Sequence, residues 1–526
     1  MLRFWSRRGD AILLVLCALF FCAPVCLAQN ALTITIDSGA IHGKESGDGK
    51  VRIFLGIPYA AAPVGPLRWK PPQRVAPWKD VKETTAYGHR CMQMGIFKVV
   101  YLDSGANEDC LTLNIWSPPA SAGQKTPVMV WIHGGGFQDG ASSDASMDGA
   151  SLARHGVILV SMNYRLGILG FLATHELAAE SPQHSAGNYG LLDQSFAIHW
   201  VKDNIAAFGG DPANITIFGE SAGAFAVSMH MASPLTREII SHAIGESGGA
   251  LGKSSVPVPD LATSIAEDEK LLKKHVKVED LAPLRAIPAE ELYKRLAPGA
   301  FSVALFMPNV DGYFLNEPVA ATFAAGKQAK IPLLAGFNKD ELAIATVMNP
   351  MKTTLQSFNA MALQKYKFHA GDFLKVYRAS NDAEAAQAAT DLAGDEFVAF
   401  GTWAWLEAQS SASPQVFRYR FDLGIPDGPK HPAAFGAFHA DEVAYVFGTL
   451  DTRPDYTWRP EDYKLSELMQ SYWTNFAHTG NPNGTGLPNW PTYGPTAWQM
   501  MHLDAVSTAR PDSQRDRYLF LQKYWK

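Results

Sequence analysis

The sequence predicts an α/β protein in which a large, mostly parallel central sheet is flanked by helices. Three observations predict it. Continuous apolar runs of strand length, such as residues 128–132 and 157–162, read as strands buried on both faces. Longer stretches with helical periodicity alternate with them. One strand-like run, residues 214–218, passes directly into Gly219-Glu220-Ser221-Ala222-Gly223 and then into a small-residue run of helical character at 224–229.

In chain order, residues 31–60 hold short alternating runs, Leu32-Thr33-Ile34-Thr35-Ile36 and Ile53-Phe54-Leu55-Gly56-Ile57, expected to form an N-terminal β-meander. Residues 61–72 are a proline-rich loop. The run 128–132 ends in Gly134-Gly135-Gly136. Residues 193–208 are expected to be helical, with Phe196, Ala197, Trp200, Val201 and Ile205 on one face. Residues 261–297 carry Asp268-Glu269-Lys270 and Lys273-Lys274 in helical sequence. They read as a charged surface helix pair, with a lid as the alternative. Residues 331–336 return to strand, and 397–409 read as an aromatic-rich helix. Phe417, Tyr419 and Phe421 alternate with Arg418 and Arg420, the pattern of a half-buried strand. Leu465, Leu468, Met469, Tyr472, Trp473 and Phe476 step as an amphipathic helix. No repeat, low-complexity tract or flexible linker interrupts this, so residues 29–526 read as one compact unit.

Strand, Gly-x-Ser-x-Gly and helix in succession form the nucleophile elbow of an α/β-hydrolase. The turn is too sharp for bulky neighbours. It pushes the Ser221 hydroxyl out, and the following helix aims its positive end at the same spot. The five-residue pattern is common by itself; its place between strand and helix gives it weight. A serine needs a base, an orienting acid and oxyanion donors. In this fold the acid and then the histidine follow the serine. The chain has 15 histidines, so composition does not choose among them.

Composition bounds the rest. Hydrophobic residues are 47% and charged residues 18%, which excludes disorder, and a net charge of −6 gives no footing for nucleic acid. Residues 1–28 read as a secretory signal: Arg3, Arg7 and Arg8, an apolar region at 11–22, and small residues before a cleavage point after Ala28. The apolar region is short for a membrane span, so no stable span is expected after cleavage. Ser6-Arg7-Arg8 half-resembles a twin-arginine signal without its apolar continuation. Cleavage leaves Cys91 and Cys110, an even pair in an oxidising compartment. A bridge would close a loop of about 20 residues, worth roughly 3 kcal/mol in the chain-entropy model; two buried free thiols are the alternative.

Beyond the elbow, a series of motifs resembles the type-B carboxylesterases, the family that includes the cholinesterases. Gly219-Glu220-Ser221-Ala222-Gly223 is similar to its active-site signature, and Glu108-Asp109-Cys110-Leu111-Thr112-Leu113-Asn114-Ile115-Trp116 to its second one. Leu55-Gly56-Ile57-Pro58-Tyr59, His133-Gly134-Gly135-Gly136-Phe137, Asn163-Tyr164-Arg165-Leu166-Gly167 and Phe208-Gly209-Gly210-Asp211-Pro212 also match. Late in the chain so do Tyr472-Trp473-Thr474-Asn475-Phe476-Ala477 and Thr479-Gly480-Asn481-Pro482. The likeness runs from about residue 32 to 523.

The resemblance implies an exported serine esterase that hydrolyses small carboxylic esters through an acyl-enzyme, with helical excursions over an active-site gorge. It implies Ser221 as nucleophile, His439 in Phe438-His439-Ala440-Asp441-Glu442 as base, and Glu341 after the strand at 333–337 as acid. Asp340 is the competitor for the acid, read as a solvated turn residue. Backbone N–H groups of Gly135, Gly136 and Ala222 are the implied oxyanion hole, and His133 is expected to brace that loop. Glu220 and Ser247 match family positions beside the triad, Glu220 acting through charge and Ser247 through hydrogen bonding. The three-glycine loop is associated in related esterases with a roomy alcohol side. No cofactor or metal is implied.

The chain also departs from the family. The loop between Cys91 and Cys110 has no tryptophan, and nothing sets Phe97 or Tyr101 over the site, so choline esters are not expected. With two mature cysteines and this signal, a bacterial periplasmic or secreted enzyme is expected. Ser302 and Ala304, small residues in a stretch that walls the acyl side in relatives, would leave room for a longer acyl chain. The rival readings are a catalytically inactive binding or adhesion protein, and a lipase, amidase or detoxifying esterase on the same scaffold.

Overall fold

The computed structural model describes residues 32–95, 99–119, 123, 125–252, 256–296, 305–342, 348–349, 352–428, 436–494 and 496–525. The expected signal sequence, Phe97, Ser302 and Ala304 lie outside the described residues.

An 11-stranded sheet forms the centre. From one edge its strands are Thr508–Pro511, Gln499–Leu503, Val416–Phe421, Leu333–Asn338, His242–Glu246 and Gly210–Glu220. Thr126–Ile132, Ile158–Met162, Thr112–Ser117, Arg52–Pro58 and Lys44–Glu45 complete it. From Gln499–Leu503 to Ile158–Met162 all neighbours pair in parallel. Both edges are antiparallel. The expected N-terminal meander divides: Thr33–Ile36 and Gly39–His42 form a small separate sheet with Lys82–Glu83, and Arg52–Pro58 joins the main one.

Parallel strands are covered on both faces, which is why they read as unbroken apolar runs. Alternate residues of the central strands enter two different cores. Val128, Val130, Ile132 and Ile217 pack with Phe225 and Met229 of the helix Ala222–Ala232. Met129, Trp131, Phe218 and Ile244 pack with Leu465, Met469, Trp473 and Phe476 of the helix Pro460–Thr479.

Four expectations need correction. The helix expected at 193–208 begins at Tyr189, ends at Asn204 and continues as a 3-10 turn, Ile205–Phe208. Its first turn is buried all round and shows no one-sided pattern. The strand read as half-buried, Val416–Phe421, is covered on both faces because it lies inside the parallel sheet. Arg418 is fully buried there, paired with Asp512 and set against the rings of Phe337, Tyr493 and Tyr518.

The charged excursion after residue 260 holds three helices and a π turn: Leu261–Leu271, Leu272–Val276, Leu281–Ala286 and Ala289–Leu296. It is docked, not peripheral: Leu272, Leu284, Leu292 and Leu296 join the main core. Asp268 is buried and accepts from the Ala173 N–H at 2.8 Å, and burial pushes its carboxyl well up. The helix expected at 397–409 is a π turn, Asp395–Ala399, followed by the helix Phe400–Ser410.

Cys91 and Cys110 are bridged. Among the described residues no helix is long and apolar enough to cross a membrane.

Candidate active site

The strands Thr126–Ile132, Gly210–Glu220, His242–Glu246 and Leu333–Asn338 end side by side. Gly219 lies opposite Ile132, Glu220 opposite Glu246, and Glu246 opposite Gly336. The loops leaving this edge build the site.

Ser221 leaves its strand at φ 54° and ψ −122°, a strained conformation for a residue with a side chain. Two hydrogen bonds hold it there: its N–H donates to Glu246 O at 2.8 Å, and its carbonyl accepts from Phe225 N at 3.0 Å. The flanking glycines are required by space. A Cβ on Gly219 would lie 2.5 Å from Ile132 O, and one on Gly223 would lie 2.0 Å from it. Both clashes are with backbone, which cannot swing aside. Gly223→Ala should therefore destabilise the fold by about 3 kcal/mol or more, read as a lowered midpoint in urea unfolding. An unchanged midpoint would mean that the helix is free to shift away from Ile132.

His439 Nε2 lies 2.9 Å from Ser221 Oγ, and His439 Nδ1 lies 2.6 Å from Glu341 Oε2. Glu341 is buried, and its Oε1 accepts from Asn338 N at 2.7 Å. With a neutral ring, Nδ1–H donates to Glu341 and Nε2 accepts from the serine. The histidine loop is fastened to the strand that leads to Glu341. Asn338 Nδ2 donates to Phe438 O at 2.6 Å, and Asp340 N donates to Ala437 O at 2.9 Å. Asp340 Oδ2 accepts from Ala437 N at 3.2 Å, so Asp340 is no solvated turn residue. It is partly buried and ties down the loop of His439. The Phe397 ring meets the imidazole edge-on at 4.8 Å.

Glu220 brings a second carboxylate to this ring, with Oε1 3.1 Å from His439 Nε2. The alignment is not that of a hydrogen bond, so the contact is one of charge. Burial pulls the imidazole pKa down, but the charges of Glu220 and then Glu341 outweigh it and lift it to about 9. Burial raises the Glu220 carboxyl, the His439 charge opposes that, and Glu341 adds to it.

Two acidic residues here escaped sequence reasoning. Glu442 accepts from Ser247 Oγ at 3.3 Å and from Asn338 Nδ2 at 2.5 Å. Glu246 accepts from Trp473 Nε1 at 2.8 Å. Burial, then the neighbouring glutamates, holds Glu442 well above the ordinary carboxylate range; burial raises Glu246 as well. Their signal was adjacency alone: Glu246 precedes Ser247, and Glu442 lies three residues past His439. Ser247 sits at φ 54° on its own turn, its N–H bonded to Gly336 O at 2.8 Å.

The glycine loop follows the strand Thr126–Ile132 and passes over the elbow. A Cβ on Gly134 would lie 2.5 Å from Glu220 Oε2 and 3.2 Å from Ser221 Cβ. Gly135 has φ 101° and Gly136 φ 62°, both in the region that favours glycine. Among the described residues no backbone carbonyl accepts from the N–H of either. Ala222 opens its helix, where N–H groups lack partners within the helix. His133 is buried, stacks on Tyr164 at 4.4 Å, and its carbonyl accepts from Tyr164 Oη at 2.8 Å. Burial lowers its pKa to about 4, so it braces the loop as a neutral ring. Tyr101 bonds Gln93 and Asp139 beside this loop, with Arg90 over its ring.

Chain order separates the known constellations of this kind. Here the carboxylate and then the histidine follow the serine, as in α/β-hydrolases. The class is therefore that of the serine hydrolases built on the α/β-hydrolase fold. Within that class the family model described as carboxylesterase family matches residues 30–520, and the chain belongs to that family. It is 36% identical over 470 residues to a fumonisin B1 esterase of Sphingopyxis macrogoltabida, covering 87% of this chain and 83% of the relative. It is 36% identical over 502 residues to a para-nitrobenzyl esterase of Bacillus subtilis (strain 168), covering 92% and 98%. A solved structure of a PNB esterase superposes with a TM-score of 0.79 at 32% identity, covering 93% of this chain and 99% of that one. The protein is a carboxylic-ester hydrolase.

Proposed function

We propose that Ser221, His439 and Glu341 are the catalytic triad of this esterase, with the N–H groups of Gly135, Gly136 and Ala222 as its oxyanion hole. The observation that carries the reading is the unbroken chain from Ser221 Oγ through the imidazole to Glu341. In the proposed cycle His439 Nε2 takes the serine proton as Oγ attacks the ester carbonyl. The backbone donors hold the oxyanion, the alcohol leaves with the proton from Nε2, and water repeats the sequence to free the acid. Glu341 keeps the proton on Nδ1, and Glu220 favours the imidazolium. Ser247 acts at one remove, by holding Glu442 under the histidine loop.

A fluorophosphonate probe tests the assignment: it should label Ser221 alone, read by peptide mass spectrometry. An unlabelled protein would point to the inactive binding relative, and a different labelled serine would overturn the site. A substrate panel then separates esterase from lipase or amidase. Two relatives are named for fumonisin B1 and para-nitrobenzyl esters, so both esters belong in it beside triglycerides, amides and acetyl and hexanoyl aryl esters.

The pH profile tests the electrostatics. Neutral imidazole is the active form, so kcat/KM should rise with pH, and the limb should lie above the ordinary histidine value of about 6.5. Glu220→Gln removes the largest of the charges that raise it. The limb should move toward acid by about one pH unit or more. A limb that stays in place would show that the imidazole does not feel Glu220.

We further propose that residues 1–28 direct export to the periplasm or the medium. The charge and apolar pattern of that segment supports this, as does the Cys91–Cys110 bridge, since such bonds persist in oxidising compartments. Appearance of the protein with Gln29 as first residue in a periplasmic or culture fraction is the expected result.

A further inference from the structure

We propose that Gln93 and Tyr101, both inside the loop closed by Cys91 and Cys110, are positioning residues that set the geometry of the glycine loop at 134–136. The inference rests on the reading of that loop as the oxyanion hole.

The glycine loop folds back on itself. Gly135 O accepts from the N–H groups of Gln138 and Asp139, both at 3.0 Å. The returning chain reaches Gly140, where a Cβ would lie 2.4 Å from His133 Nδ1 and 2.7 Å from Gly134 O. The main chain of Gly140 therefore rests against His133 and Gly134. Whatever fixes Gly140 also fixes the glycines that carry the proposed donors.

Gln93 grips Gly140 by both of its backbone groups. Gln93 Nε2 donates to Gly140 O at 3.0 Å, and Gln93 Oε1 accepts from Gly140 N at 3.1 Å. The Tyr101 hydroxyl lies 3.3 Å from both Gln93 Oε1 and Asp139 Oδ1. Asp139 Oδ1 in turn accepts from Gly140 N at 2.9 Å. One primary amide, one phenol and one carboxylate thus close a network around a single residue, on the peptide units to either side of its Cα.

The grip is anchored on the disulfide side. Gln93 Nε2 also donates to Cys91 O at 3.0 Å. Arg90 lies over the Tyr101 ring at 4.8 Å and pairs with Asp103 at 2.6 Å. Leu102 N donates to Ser143 O at 2.9 Å, and Ala145 N donates to Val100 O at 3.0 Å. The disulfide loop is stitched to the chain on the far side of Gly140, so Gln93 reaches the glycine loop from a fixed base.

Oxyanion donors act on charge that develops in the transition state, not on the resting ester. A loosened glycine loop should therefore lower kcat and leave KM nearly unchanged. A misplacement of about 1 Å can cost about a hundredfold; loosening one of several anchors should cost about tenfold. A merely structural role for Gln93 predicts a different outcome: lower thermal stability, with normal kcat in the molecules that remain folded.

The test compares Gln93→Ala and Tyr101→Phe with the parent enzyme, using p-nitrophenyl butyrate at a temperature where all are folded by circular dichroism. Expected for Gln93→Ala are a kcat lower by about tenfold and a KM within about twofold. Its affinity for a trifluoromethyl ketone, which forms an oxyanion adduct at the serine, should fall in step with kcat. Tyr101→Phe removes one hydroxyl and should cost about threefold with the same split; it decides the matter alone if Gln93→Ala does not fold. A kcat within twofold of the parent in a folded variant, or a loss confined to KM, overturns the proposal. Ser221→Ala run beside them keeps the two readings apart. If it stays active the assignment of the site has failed, whereas an inactive Ser221→Ala beside a fully active Gln93→Ala sinks the clamp alone.

Discussion

Ser221→Ala should lower kcat by roughly a millionfold and abolish the burst of p-nitrophenol that marks acylation. The hydroxyl stands at the end of a buried strand, 2.9 Å from the imidazole, and no second hydroxyl bonds that nitrogen among the described residues. Removing the oxygen leaves the elbow backbone in place, because the turn is held by main-chain bonds to Glu246 and Phe225. The variant should therefore fold and bind substrate with the parent's affinity. Stopped-flow measurement with p-nitrophenyl acetate decides it. Retention of one tenth of the activity would mean that another group attacks the ester.

Glu341→Gln should cost about ten-thousandfold in kcat, with little change in structure. The amide has the shape of the carboxylate and keeps an oxygen for Asn338 N. Its NH2 group, however, faces His439 Nδ1, the position that now meets Glu341 Oε2 at 2.6 Å. The ring must then accept at Nδ1 and carry its proton on Nε2, where it can no longer take one from the serine. Glu220 cannot substitute, because its carboxylate lies near Nε2, the other nitrogen. A loss of less than tenfold would show that the tautomer is set elsewhere. Steady-state kinetics beside a urea unfolding curve separates this loss from instability.

Much of this architecture is written in local sequence. The parallel strands stand out where residues buried on both faces form an apolar run, as at 128–132. The elbow stands out because two glycines are forced by contact with Ile132. The pairing of Ser221 with residues 120 and 218 positions further on came from the family likeness. The structure brings those three side chains into hydrogen-bond contact. What stayed hidden was buried charge. Arg418, Asp268, Glu246 and Glu442 look like surface residues because their partners are remote or on other elements: Asp512, Ala173 N, Trp473 and Asn338. Local periodicity carries no information about such partners. Gln93 was invisible for the same reason, since an amide in a loop shows its purpose only when Gly140 lies beside it.

Because the loop of His439 is fastened to residues 338–340, the imidazole and the Glu341 carboxylate are held as one block. Changes of length at the turns between them, outside the helix Phe400–Ser410 and the strand Val416–Phe421, need not alter the separation of imidazole and carboxylate. A lineage built this way can accept longer turns there while these two side chains keep their spacing.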